Sequence, residues 1–344
     1  MRALTISAHG DLDQLQVRSD LPVPEPGPGQ VRVRVMAAAM NHLDLFTLAG
    51  LPGLTITPPW IMGADGSGVI DSVGEGVTAF SKGDRVVING GISDRTCEWC
   101  QRGEQSICIR FRLLGEHLPG TFAEYIVVPA TNVLSINDDV SFSTAAAYLL
   151  SALTAYRMVV TRANVGPDDD VLIWGIGGGV AQAALKIAKA RGARVWVTSG
   201  KDEKLERARE LGADEFINHR TQSTGREIRS RTGKRGVSVV IDSVGHDTWG
   251  ESLIALGRAG RLVTCGGTSG PMVETDVRRL FWNQWTIMGS TMGNDAEFEA
   301  VTAMLNEGKN LPVIDSTFDL DNGRAAFERM ASGDHFGKIV IATA

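Results

Sequence analysis

Up to about residue 130 the apolar positions come in short alternating runs. VRVRVMAA (31–38) reads as a strand with one apolar face, and GVIDSVGEGV (68–77) and DRVVING (84–90) read as strands joined at glycines. LPVPEPGPGQ (21–30) is a stiff proline-glycine connector. From SFSTAAAYLLSALTAYRMVV (141–160) the spacing turns helical. Strand VLIWG (171–175), helix VAQAALKIAKARG (180–192), strand ARVWVTS (193–199), helix KDEKLERARELG (201–212) and strand EFINH (215–219) follow. Two further strands, VSVVIDSVG (237–245) and GRLVTCGG (260–267), flank a helix expected over residues 249–260. The tail supplies helices at EFEAVTAMLNEGK and AAFERMAS and a closing strand, KIVIATA. Strands alternating with helices predict an α/β fold with a parallel sheet covered on both faces, beside a smaller β-rich part.

With 344 residues and 43% apolar content, the chain can bury a large core and is long enough for two domains. Its net charge of −6, with both signs interspersed, offers no basic tract to follow a phosphate backbone, so nucleic acid is not an expected partner. No stretch approaches the roughly twenty apolar residues of a membrane span, and the amino terminus lacks a signal-like apolar run. A cytoplasmic protein without a membrane partner is expected.

Three of the four cysteines, Cys97, Cys100 and Cys108, fall within DRTCEWCQRGEQSIC, with Asp94 three residues ahead of the first. A two-residue gap lets one turn aim two thiolates at one ion, and the carboxylate of Asp94 repeats that spacing. The pattern predicts a closed tetrahedral zinc site that braces a loop. The alternatives are a disulfide or unrelated buried thiols; three cysteines cannot pair off, and such spacing in an intracellular chain favours metal.

Strand VLIWG runs straight into GIGGGVAQ, so Gly175, Gly177, Gly178, Gly179 and Val180 form a strand-to-helix turn. Such a turn lets the backbone approach a pyrophosphate at a helix amino terminus. The second strand ends in Thr198, Ser199 and Gly200, with no carboxylate to grip the ribose hydroxyls of NAD. Ser199 and a cation such as Lys204 or Lys201 suit a 2′-phosphate, and NADPH is the expected cofactor. The other reading makes both lysines ordinary solvated helix residues.

Taken together, QVRVRVMAAAMNHLDL, IMGADGSGVIDSVGEGVTAFSKGDRV, the cysteine lobe, the glycine turn, GRLVTCGG and HFGKIVIA resemble the medium-chain dehydrogenase/reductase superfamily of zinc alcohol dehydrogenases and quinone oxidoreductases. The resemblance covers essentially the whole chain. It implies a GroES-like catalytic domain (1–130 and 290–344, with the zinc lobe at 90–110), a Rossmann domain (131–289), and a homodimer or homotetramer. Where zinc-dependent members carry three ligands to a catalytic metal, Asn41, Ala64 and Leu150 stand here, none of which replaces a thiolate or an imidazole. Leu43 and Phe46 take the places of the usual proton relay. What remains, Asn41 and Asp44 in NHLD, resembles zinc-free quinone oxidoreductases, which pass hydride from NADPH to a quinone or an α,β-unsaturated carbonyl.

On that resemblance Asn41 is expected beside the nicotinamide as a donor to the developing oxyanion, or simply as the cap of a short helix. Asp44 is expected to orient its neighbours, since acid catalysis would need a strongly raised pKa. Thr154 is expected as a catalytic residue near the nicotinamide ring; His219, Cys265, Gly266 and Ser290 are candidate contacts to the dinucleotide, and Arg220 is a second phosphate candidate. Trp60, Phe281, Trp282 and Met292 are either cleft-lining or core residues. Two other functions are carried beside the reductase: a zinc alcohol dehydrogenase with unusual ligands such as Asp65 or His42, and a non-catalytic dinucleotide-binding protein.

Overall fold

The computed structural model describes Met1–Thr343; Ala344, the last residue of the expected closing segment, lies outside the described residues. The chain divides into two compact units, Met1–Leu150 with the chain from Asn294, and Ser151–Gly293.

In the first unit, among the described residues, the main sheet has seven strands. Their order is Val133–Ser135, Arg85–Ile88, Asp65–Val73, Gln30–Ala39, Lys338–Ala342 and Ile314–Asp319, with Tyr125–Pro129 also paired to Gln30–Ala39. The alternation read in VRVRV is realised: Val31, Val33 and Val35 are buried, while Arg32 and Arg34 face outward or partly so. The alternation stops at Ala37–Ala39, all buried, because Ala146 and Ala147 of the Phe142–Tyr156 helix cover the second face there. Gly68 permits the close pairing with Gln30–Ala39, since a Cβ at that position would lie 2.0 Å from the Arg34 carbonyl oxygen. Register places the later chemistry: Ala39 pairs antiparallel with Asp65 on one side and with Val340 on the other. Asp65 and Lys338, on the two strands flanking Gln30–Ala39, and Asn41, two residues past Ala39, therefore converge at one sheet end.

The second unit holds a six-stranded parallel sheet, again counted among the described residues. Its order is Glu215–Asn218, Arg194–Ser199, Asp170–Ile173, Val237–Asp242, Leu256–Thr264 and Thr286–Gly289. The first strand in sequence, Asp170–Ile173, is central, and the chain winds away from it in both directions. That reversal opens a crevice at its carboxyl end, where the glycine turn sits.

The boundaries between the two units fall at 150/151 and 293/294, and the first half of the Phe142–Tyr156 helix packs within the first unit: Ser67 Oγ donates to the Phe142 carbonyl at 2.6 Å and Leu150 N–H to Asp65 at 3.0 Å. One expectation is corrected. The helix expected over residues 249–260 is His246–Ala255, and strand Leu256–Thr264 begins at once. The Val277–Asn283 helix and the Thr286–Gly289 edge strand were not foreseen. Among the described residues no helix is long and apolar enough to cross a membrane.

Candidate active site and metal lobe

In the lobe, Asp94, Cys97, Cys100 and Cys108 bring one oxygen and three sulfurs within 4.8 Å of one another. Cys97 Sγ lies 3.5 Å from Cys100 Sγ, and Cys100 Sγ lies 3.4 Å from Asp94 Oδ1. A tetrahedron with arms of about 2.3 Å has edges of about 3.8 Å, so the set is near the size zinc needs. Cys97 caps the short Glu98–Gln101 helix, which fixes the two-residue gap as one turn. Asp94 Oδ1 accepts the N–H groups of Cys97 and Thr96 at 2.9 Å, and these bonds hold its carboxyl well below the usual range. Backbone N–H groups of Asp94 and Arg110 point at Cys108 Sγ, each at 3.3 Å, as expected around a thiolate ligand. Burial pushes the Cys100 thiol up to about 12, a direction that a bound cation opposes. The donor set fits zinc.

At the sheet end, Lys338 Nζ lies 2.9 Å from Asp65 Oδ2 and 2.6 Å from Asn41 Oδ1. Asn41 Nδ2 donates to the same Asp65 oxygen at 3.0 Å, with a longer 3.4 Å contact to the Ala39 carbonyl. Lys338 and Asp65 are 3% and 1% exposed, so the charges are paired out of water. Leu150, one of the three metal-ligand places, gives Asp65 Oδ1 its backbone N–H, and buried Ala64 lies next to Asp65 in the chain. Asp65 thus takes donors from Lys338, Asn41 and Leu150.

Asn41 is also the cap of the His42–Ala49 helix, the second of the two roles expected for it. Asp44 accepts the Asn41 N–H at 2.8 Å and is 1% exposed. Burial pushes its carboxyl up to about 7, which Asn41 N–H and the Lys338 ammonium oppose without cancelling. His42 is held below its ordinary pKa by burial and by Lys338.

In the second unit Gly175 has φ +68°, a conformation glycine takes without strain, and it turns the chain out of the strand. Gly178 caps the Gly179–Ala190 helix, whose first-turn N–H groups, from Gly179 and Val180 onward, have no acceptor within the helix. A pyrophosphate fits there; Gly177 is buried in the same turn. Ser199 Oγ accepts the Lys201 N–H at 3.0 Å. Arg220 crosses the backbone of Gly200 so closely that a Cβ there would lie 2.7 Å from its Nε. Lys204 is half-buried on the adjacent Asp202–Glu210 helix. The His219 ring stands 6.1 Å from that of Trp174, and its pKa is lowered by the surrounding protein and by Arg220.

At the far end of that sheet, Ser290 N–H bonds the Thr264 carbonyl at 2.9 Å, while Ser290 Oγ is buried without a partner among the described residues. Thr154 Oγ1 has a thioether contact, Met292 Sδ at 3.9 Å. Cys265 is half-buried, and burial and then the Asp242 charge push its thiol up to about 12. Gly266 and Gly267 are exposed beside it. Among the aromatic candidates, Trp60 is committed to the Gly115 carbonyl at 2.9 Å, whereas Phe281 and Trp282 are exposed and belong to no core.

Two family models match the chain, an alcohol dehydrogenase GroES-like domain over residues 27–138 and a zinc-binding dehydrogenase over 179–307. A crystal structure of an NAD-dependent alcohol dehydrogenase superposes with a TM-score of 0.96 at 41% identity, covering 100% of both chains. The acryloyl-coenzyme A reductase of Metallosphaera sedula is 31% identical over 89% of this chain and 90% of its own length. The quinone oxidoreductase of Homo sapiens is 28% identical over 99% and 97%. The chain belongs to the medium-chain dehydrogenase/reductases. As a medium-chain dehydrogenase/reductase it is an oxidoreductase acting on a small molecule, with the GroES-like and Rossmann parts that the sequence implied.

For this medium-chain dehydrogenase/reductase, the residue that sequence reasoning missed is Lys338. It lies 297 positions from Asn41 and 273 from Asp65, and only strand register joins them. The available signal was a lysine opening the otherwise apolar strand KIVIA.

Proposed function

We propose that the protein is an NADPH-dependent reductase of quinones, enones or other α,β-unsaturated carbonyls, working without a catalytic zinc and braced by one structural zinc in the lobe. The observation that carries this reading is the commitment of Asp65. A zinc alcohol dehydrogenase with unusual ligands would draw on a residue such as Asp65 or His42, and the Asp65 carboxylate is already engaged by Lys338, Asn41 and Leu150. Among the described residues, the lobe is the one place where three or more His, Cys, Asp or Glu ligand atoms gather.

The bound nicotinamide supplies hydride. A conjugated acceptor spreads the resulting charge onto its oxygen, where one hydrogen-bond donor from Asn41 stabilises it without a Lewis acid. The Gly175–Val180 turn holds the pyrophosphate, and Thr154 and Ser290 lie on the segments expected beside the ring end of the cofactor. The choice of NADPH rests on the second strand ending in Ser199 and Gly200 with Arg220 laid across it, a cation and a hydroxyl in place of the acidic residue that suits NADH. The quinone oxidoreductase and the acryloyl-coenzyme A reductase are relatives whose names carry conjugated acceptors, which supports the acceptor class.

Fluorescence titration with both cofactors, followed by absorbance assays against quinones, enones and simple alcohols, tests the reading. NADPH should bind more tightly than NADH, and Arg220→Ala should weaken NADPH alone, by roughly 10-fold or more. Turnover of ethanol or other simple alcohols, with none on conjugated acceptors, would overturn it.

A further inference from the structure

Three polar groups close a ring at the sheet end: the Lys338 ammonium bonds both Asn41 Oδ1 and Asp65 Oδ2, and Asn41 Nδ2 bonds the same Asp65 oxygen. This ring fixes which way the Asn41 amide faces. A flipped amide would set its NH2 against an ammonium and its carbonyl against a carboxylate, two repulsions where water cannot screen them. The cation on Oδ1 also draws electron density out of the amide and so strengthens Nδ2–H as a donor. Of the two hydrogens on Nδ2, one is held by Asp65 and the other has only the 3.4 Å contact to the Ala39 carbonyl. That second hydrogen is the one a reacting oxygen can claim, and Asn41 is only partly buried. Lys338 itself, 3% exposed, cannot reach a substrate.

We infer that Lys338 is a positioning residue for the reduction: anchored on Asp65, it serves as a built-in cation that acts on the acceptor oxygen through a locked and polarised Asn41 amide. The inference rests on the reductase reading above. Its chemistry resembles that of a Lewis acid moved one hydrogen bond back, with the charge supplied by the chain.

The test is a double-mutant cycle on the full-length protein with NADPH and a small enone, reading kcat and KM separately together with the NADPH dissociation constant. Lys338→Met should lower kcat by roughly 10²-fold, the size of losing one oxyanion donor, with KM and NADPH affinity little changed. Lys338→Arg should recover part of the loss. In an Asn41→Ala background, Lys338→Met should cost little more, because the amide through which it acts is gone. If Lys338→Met leaves Asp65 unpaired and the protein folds poorly, Lys338→Met with Asp65→Asn removes both charges and should show the same kcat loss. Equal kcat losses from Lys338→Met in the presence and absence of Asn41 would overturn the inference, as would wild-type kcat in the double variant. A wild-type protein that reduces no conjugated acceptor would instead overturn the reductase reading.

Discussion

The lobe at Asp94–Cys108 and the sheet end at Asn41, Asp65 and Lys338 are both places where the chain gathers charge, and they solve the problem in opposite ways. The lobe collects four potential anionic ligands, three thiols and a carboxylate, with the exposed Arg110 guanidinium paired to Asp94 at 3.5 Å. Such a set is complete only with a cation from outside. The sheet end brings its own cation, Lys338, and its two carboxyls do not compete for another: Asp65 is saturated with donors and Asp44 is pushed toward its neutral form. In one fold, then, one region gathers a donor set that fits an outside cation, and the other pairs its carboxylate with a cation of its own.

The largest effect should come from breaking the lobe. Cys100→Ser removes a buried ligand of a closed site, and the loss should be several kcal/mol together with the bound metal. Zinc content per chain and the thermal midpoint should fall together. A variant that lost zinc while keeping its midpoint would show that the lobe braces nothing.

A smaller, pH-dependent effect should separate the sheet end from the lobe. Asp44 faces Lys338, Asp65 and the Asn41 N–H, and its folded pKa of about 7 lies above the ordinary carboxyl value. Between pH about 4 and about 7 the folded state therefore holds a proton that the unfolded state has lost, so stability declines as pH rises across that window and is flat above it. In Asp44→Asn, whose side-chain oxygen can still accept the Asn41 N–H, that decline should flatten. Thermal midpoints measured across the window decide it; an unchanged slope would mean that Asp44 is ionised throughout.

The smallest effect should be at the rim of the lobe. Arg95 pairs in two places with Asp295, at 2.6 and 3.1 Å, but both side chains are about one-third exposed. Solvent screens such a pair, and Arg95→Ala should cost no more than about 1 kcal/mol with zinc content unchanged.

The two regions also differ in how far the sequence discloses them. The lobe is local: its four ligands lie within fifteen residues, and one turn suffices to aim them. The Rossmann turn is local as well, since a strand, a glycine at φ +68° and a helix follow in direct succession. Asn41 and Asp44 were legible because helix capping and their motif share one short segment. Lys338 was not, because its partnership depends on antiparallel register across three strands separated by hundreds of residues. The same limit explains the misplaced end of the 249–260 helix: GRAG passes for a helix terminus, yet pairing with Val237–Asp242 draws the chain from Leu256 onward into a strand, with Ala259 at φ +54° and a register shift between Val237 and Val239 marking an irregularity within it. The edge strand Thr286–Gly289 is too short and too exposed to show alternation.

Anomalous diffraction from crystals of protein purified without added metal, collected above and below the zinc edge, tests the contrast most directly. The account predicts one peak per chain, within bonding distance of Asp94, Cys97, Cys100 and Cys108, and ordinary density for Lys338 Nζ between Asn41 and Asp65. A zinc peak bonded to Asp65, His42 or any other side chain at the sheet end would contradict it.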